Sequence, residues 1–262
     1  MLYIILTFII GACAGSAVNC LVERKISDRD WWRGRSACPH CGRNLRWYEL
    51  IPVVSFIIQG GRCRACHEKL RWQYLLSEIS LGVFFALAWS RAGVDLNVIS
   101  AQNFWPFLIV ARDWLMLCFL AAIFWYDYRQ QLIPDAWVVL GGALALSFNI
   151  FLGVHWWQLL IGAGACAGFL GAQYVVSRGR WIGLGDVKLG VFLGLLVGWP
   201  QVAVLILLTY IMGGLVGTWL LARRRAGLKS AVALGPFLTL AAAITLLYGQ
   251  NLLEWYLRHL GL

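Results

Sequence analysis

Two carboxylates in this chain stand where a carboxylate is expensive. Asp127 follows the apolar run Ala121–Tyr126, and Asp186 ends the tight sequence Gly183-Leu184-Gly185-Asp186 at the start of another apolar stretch. A charged aspartate within a membrane span costs about 2.5–3.5 kcal/mol on insertion scales, so each is a functional candidate. Two such carboxylates brought together share one proton and activate a water, the chemistry of an aspartic protease. Gly183 and Gly185 permit unusual backbone and a close neighbour; the competing reading of Asp186 is a helix N-cap. Asp135, after Leu132-Ile133-Pro134, reads as the N-cap of a helix beginning at Ala136. Lys188 is a cation for lipid phosphates or for a nearby carboxylate, with lipid the favoured partner. Glu78, one and a half turns into an apolar stretch, either snorkels or polarises a substrate amine.

A second constellation is made of sulfur. Of eight cysteines, four form Cys38-Pro-His-Cys41 and Cys63-Arg-Ala-Cys66, with 21 residues between the pairs. Two such knuckles can place four thiolates tetrahedrally around Zn²⁺. The alternatives are a redox dithiol pair or unpaired surface thiols. His40 and His67 stand beside the knuckles, but four cysteines already complete a structural shell. Cys13, Cys20, Cys118 and Cys166 lie in apolar stretches and read as small hydrophobes.

The elements that must position these groups are membrane helices. The chain is 61% hydrophobic and only 13% charged, with mean hydropathy +0.72, far from the roughly 25% charge of soluble domains. The first 22 residues lack a basic leader region and read as a retained helix rather than a cleaved signal. Spans of about 20 apolar residues are expected at roughly 3–22, 73–90, 105–126, 136–152, 157–177, 187–198, 201–221 and 235–256. The third is interrupted by Arg112 and Asp113, which suggests an outer-interface position with 97–112 lying on the surface. The sixth is short, stops at Trp199-Pro200, and is expected to form a tight hairpin with the seventh. The fold class is therefore an all-α polytopic membrane protein of about eight transmembrane helices with a small cytoplasmic loop domain. Its parts are a first helix at 1–22, a zinc-binding domain at 23–72 and a transmembrane region at 73–262.

Net charge is +10, which raises the question of nucleic acid. Placement answers it: with the N-terminus outside, the loops 23–72, 127–135, 178–188 and 222–230 share one side and hold 19 of the 22 Lys and Arg. That is the positive-inside bias of a cytoplasmic face, so the basic balance is topological and no nucleic-acid partner is expected. On this topology Asp127 and Asp186 both fall at the cytoplasmic ends of their spans. Many of the fifteen tryptophans, such as Trp31, Trp32, Trp105, Trp156, Trp157, Trp181 and Trp199, mark span ends as interfacial anchors. A loop as small as 23–72 has little apolar core, so metal would supply much of its stability.

In this order the residues resemble the type IV prepilin peptidase family, bifunctional leader peptidases and N-methyltransferases of pilus and type II secretion systems. The resemblance runs the whole chain. It is carried by Gly15-Ser16-Ala17-Val18-Asn19 with Arg24, the two cysteine knuckles, Glu49-Leu50-Ile51-Pro52-Val53-Val54-Ser55 and Gly61-Arg62-Cys63-Arg64. Asp127 through Asp135, Gly183-Leu184-Gly185-Asp186-Val187-Lys188 and Gly235-Pro236-Phe237-Leu238 continue it. Departures are a shorter loop before Cys38, Leu75 where the family often has Pro, and Ala233-Leu234 before Gly-Pro-Phe.

The resemblance implies an aspartic endopeptidase with Asp127 and Asp186 catalytic, cleaving the basic leader from prepilins or pseudopilins at the inner face of a bacterial cytoplasmic membrane. It also implies S-adenosylmethionine-dependent N-methylation of the new terminus, for which Glu49 and Glu78 are the candidate residues, and structural zinc on Cys38, Cys41, Cys63 and Cys66. The alternatives are a peptidase without methyltransferase activity, an ion or proton transporter using the membrane aspartates, and a non-catalytic assembly scaffold.

Overall fold

Small residues decide how the first helix packs. In α1 (Leu2–Ile26), Gly11 and Gly15 let the backbone come so close to α3 (Trp72–Ala92) that a Cβ on Gly15 would fall 2.7 Å from Glu78 Cα. This is the small-xxx-small packing that apolar helices use when no hydrophobic force drives them together. Between the two lie a 3-10 turn (Trp47–Leu50) and the short α2 (Val54–Ile58). Six more helices follow: α4 (Trp105–Gln130), α5 (Asp135–Phe151), α6 (Trp156–Ser177), α7 (Leu184–Val197), α8 (Gln201–Ala222) and α9 (Gly235–His259). The computed structural model describes residues 2–30, 36–38, 40–93, 104–223 and 233–259. Among them the only β pairing is two isolated bridges, Ala37 with Asn44 and Arg62 with Lys69. Trp31 and Trp32 lie outside the described residues.

All eight expected spans are helices, and the protein is a multi-pass, all-helical membrane protein. Six are long and apolar enough to cross a membrane, while α5 is shorter. The 14 residues of α7 reach about 21 Å, less than a bilayer core of about 30 Å. Its Leu189, Phe192, Leu193 and Leu196 are buried inside the protein instead. The expected hairpin forms, with α7 ending at Val197 and α8 beginning at Gln201.

The expectation for Arg112 and Asp113 is corrected. The helix runs through them from Trp105, Arg112 Nη2 pairs with Asp113 Oδ1 at 2.7 Å, and Asp113 is buried. Pairing with Arg112 offsets the cost of burying the Asp113 carboxylate within the helix. Residues 97–103 of the expected surface segment lie outside the described residues.

The chain divides into two units, the boundary falling within α4 after Ala122. The first is built on α1 and α3, with Trp114 of α4 stacked on Phe85 and donating its indole N–H to the Phe85 carbonyl at 3.1 Å. The second holds the end of α4 and α5 to α9. Within it Gly194 of α7 meets Gly162 and Ala163 of α6 backbone to backbone. The side chain of Asn149 on α5 donates to the carbonyls of Leu195 and Leu196 at 2.8 and 2.9 Å, capping helical carbonyls that have no intrahelical partner.

Candidate active site

The last turn of α4 carries Asp127 and the first turn of α7 carries Asp186. Asp127 is buried, and its Oδ2 takes no hydrogen bond from any described residue. Asp186 is half-buried, and its Oδ2 accepts the Gly183 N–H at 3.1 Å. Ile133, in the connection between α4 and α5, shows how they are brought together. A Cβ on Gly185 would meet Ile133 Cβ at 3.4 Å, and one on Gly235 would meet Ile133 Cδ1 at 3.5 Å. Gly235 lies directly against Asp127, where an added Cβ would stand 2.9 Å from Cγ and collide with Oδ2. Three separate helices therefore converge on one carboxylate pair.

Several readings of neighbouring residues change. Asp186 is not an N-cap: Gly183 holds that position, and Asp186 sits three residues on, reaching back to the Gly183 N–H. Asp135 is not an N-cap either. Pro134 precedes the helix, and Asp135 instead accepts both its hydrogen bonds from Lys188 Nζ, at 2.8 and 2.9 Å. Lys188 thus meets a carboxylate of α5, because one turn of α7 presents it across to the start of that helix. Gly235 enters the sequence reading only as part of the Gly235-Pro236-Phe237-Leu238 resemblance, with no role of its own; the structure places it against Asp127.

In the first unit the four cysteines of the knuckles come together, their Sγ atoms all within 4.8 Å of one another and Cys38 to Cys66 at 3.9 Å. Bonds of about 2.3 Å around Zn²⁺ require sulfurs about 3.8 Å apart, so the cluster fits a tetrahedral ion with little adjustment. The two knuckles repeat one pattern. Cys38 N–H bonds the Arg43 carbonyl and Cys63 N–H the Glu68 carbonyl, each at 2.9 Å, while Gly42 and His67 both take positive φ. His67 is therefore a turn residue, its place in the second knuckle matching glycine in the first. Backbone N–H groups of Cys66 and Ala65 hold the Cys63 thiol low, at about 6, favouring the thiolate that a metal needs.

The two glutamates differ. Glu49 has both oxygens occupied, by Arg43 Nη2 at 2.5 Å and the Arg46 N–H at 2.8 Å. Burial alone would raise its carboxyl, but these donors hold it below the usual range. Glu78 is also buried, and its Oε2 accepts the Val53 N–H at 2.7 Å.

Comparison with known proteins agrees with this arrangement. Residues 9–92 match the Bacterial Peptidase A24 N-terminal domain, and residues 114–218 match the Type IV leader peptidase family. A prepilin leader peptidase/N-methyltransferase of Pseudomonas putida is 30% identical over 99% of this chain and 95% of its own length. The chain belongs to the type IV leader peptidase family. Further members with the same name, from Pseudomonas aeruginosa and Bacillus subtilis, are 28% and 26% identical, covering 99% and 86% of the chain. They cover 95% and 86% of their own lengths. No solved structure matches this family member significantly.

Proposed function

We propose that this chain is a membrane-embedded aspartic endopeptidase that removes the leader from type IV prepilins or pseudopilins and then N-methylates the new terminus. What supports the first activity is the convergence of the ends of α4, α7 and α9 around Ile133, which brings Asp127 and Asp186 into one region from different helices. One proton shared between them leaves one carboxylate to draw a proton from water and one acid to polarise the scissile carbonyl. Among the described residues nothing donates to Oδ2 of Asp127, which leaves that buried oxygen to accept a hydrogen bond from solvent or substrate. The site faces the cytoplasm of the inner membrane, where the hydrophobic helix of a prepilin lies in the bilayer and its basic leader in solution.

Cys38, Cys41, Cys63 and Cys66 hold Zn²⁺ as a structural ion, since four thiolates leave no coordination position for a reacting water. The loop at 23–72 forms a small domain of its own between α1 and α3. S-adenosylmethionine supplies the methyl group, and the unit built on α1 and α3 is where Glu49 and Glu78 stand.

Purified Asp127→Asn and Asp186→Asn variants, assayed on a prepilin in detergent, are expected to lose cleavage by at least about 10³-fold. Normal processing by either variant sinks the paired-aspartate mechanism. Mass spectrometry of the wild-type product reads the second activity: a cleaved pilin without an added methyl group leaves a peptidase alone.

A further inference from the structure

The face that α2 turns outward is wholly apolar. Ile51, Val54, Ile57 and Ile58 follow one another at helical spacing and are exposed, Ile57 and Ile58 by 66% and 67%. Ser55 and Phe56 are half-buried, and an added Cβ on Gly61 would stand 3.1 Å from the Phe56 ring. Large exposed side chains with no charge among them mark a contact surface. What covers this one follows from how deep α2 stands.

Two hydrogen bonds fix that depth within the unit built on α1 and α3. The 21 residues of α3 reach about 31 Å, barely the roughly 30 Å of a bilayer core. Its Trp72 end therefore has to stand at the membrane boundary on the loop side. Glu78 is six residues further along, about 9 Å below that boundary, and its Oε2 accepts the Val53 N–H at 2.7 Å. The chain then climbs through α2. By Gly61, whose carbonyl accepts the Leu70 N–H at 2.7 Å, it is back beside the residues that precede α3. The five residues of α2 rise about 7.5 Å, close to the distance between the two levels. Backbone at such a depth must have its polar groups satisfied. The N–H groups of Ser55, Ile57, Gln59 and Gly61 all bond carbonyls of the same segment, and Glu78 takes that of Val53. Exposed cations stand where the chain surfaces, since Arg62 and Lys69 form the bridge next to Gly61. Basic side chains at that level meet lipid phosphates, and an exposed tryptophan such as Trp72 marks the interface.

We propose that α2 is immersed in the adjoining lipid leaflet, its outer face among the acyl chains and Arg62 and Lys69 at the phosphates. The cysteine loop is then seated on the bilayer instead of being suspended in water, and the partner of its apolar face is lipid. Neither cleavage nor methylation is needed for this placement. It follows from the length of α3 and from the level at which Val53 is anchored.

The test places a fluorescent amino acid at Ile57, or at Ile58 in a second variant, of the full-length protein. Each variant is reconstituted in nanodiscs of phosphatidylethanolamine and phosphatidylglycerol. Glu68, exposed on the second knuckle, takes the same label as the aqueous reference. Two quenchers are compared, phospholipid brominated on its acyl chains and iodide in the buffer, with zinc content and thermal unfolding reporting that each labelled protein folds. For a face lying about 5–10 Å deep, brominated lipid should quench at 57 and 58 at least about threefold more than at 68, and iodide at least about threefold less. Iodide quenching equal to that at Glu68 overturns the proposal and leaves the face in water. Weak quenching by both agents overturns it too, because protein then covers the face; crosslinks between copies in that case identify a second chain as the occupant.

Discussion

Gly235 carries no side chain because the space a Cβ would need is taken by the Asp127 carboxylate. Gly235→Ala is therefore expected to push that carboxylate out of place, and displacements near 1 Å cost about 10²-fold in rate. Cleavage assays at saturating prepilin should show the loss in kcat, with thermal unfolding recorded alongside to exclude a general collapse. The pair of Lys188 and Asp135 behaves differently. Both are well exposed, so a double-mutant cycle with Lys188→Gln and Asp135→Asn should give a coupling below about 1 kcal/mol. Asp127 and Asp186 stood out in the sequence because charge among apolar neighbours is a local contrast. Gly235 did not, since what excludes its side chain is a residue on another helix more than a hundred positions earlier.

Among the elements, the cysteine loop and α7 depend on very different forces. The loop between α1 and α3 buries little, and its two knuckles converge on one tetrahedral site. The protein should contain one Zn²⁺ per chain by elemental analysis, and chelation should unfold this loop as followed by proteolysis between residues 36 and 71. Glu49 adds a pH dependence whose sign follows from its lowered folded pKa. Its stabilisation is present above the unfolded value of about 4.3 and disappears as pH falls through the folded value. Glu49→Gln should accordingly weaken the loop against chelator at neutral pH and flatten its response to acid. For α7 the relevant bonds come from Asn149. Asn149→Leu leaves two carbonyls of α7 without their donor and should lower stability by about 1–3 kcal/mol, measured by denaturant unfolding in micelles. The Cys-x-x-Cys pairs were legible because ligands three apart are chelating neighbours whatever the rest of the chain does. That Asp135 pairs with Lys188 instead of capping its own helix was not, because Pro134 had already taken the cap position.

At the scale of the whole molecule, orientation follows from where the Lys and Arg are. Reporter insertions after Arg223 should read as cytoplasmic and insertions at Gly153 as external, checked by compartment-specific enzyme fusions; the reverse pattern would put the aspartate pair on the wrong face for a cytoplasmic leader. By itself the sequence determined which segments are helices, which four cysteines cluster, and the family, and it supplied the charge bias from which a sidedness is proposed. Each of these is a local sum: the transfer free energy of about 20 residues into a bilayer, the charge of a loop, or ligands held close by a short chain. Only the tertiary structure decided that Gly235 lies against Asp127, that the start of α7 with Asp186 reaches Ile133 beside them, that α7 is buried by its neighbours, and that Glu49 is held by Arg43 and Arg46 while Glu78 takes the Val53 N–H. Those outcomes depend on glycine-mediated approach between helices distant in sequence, where many weak packing contacts, none visible in one segment, add up to a single arrangement.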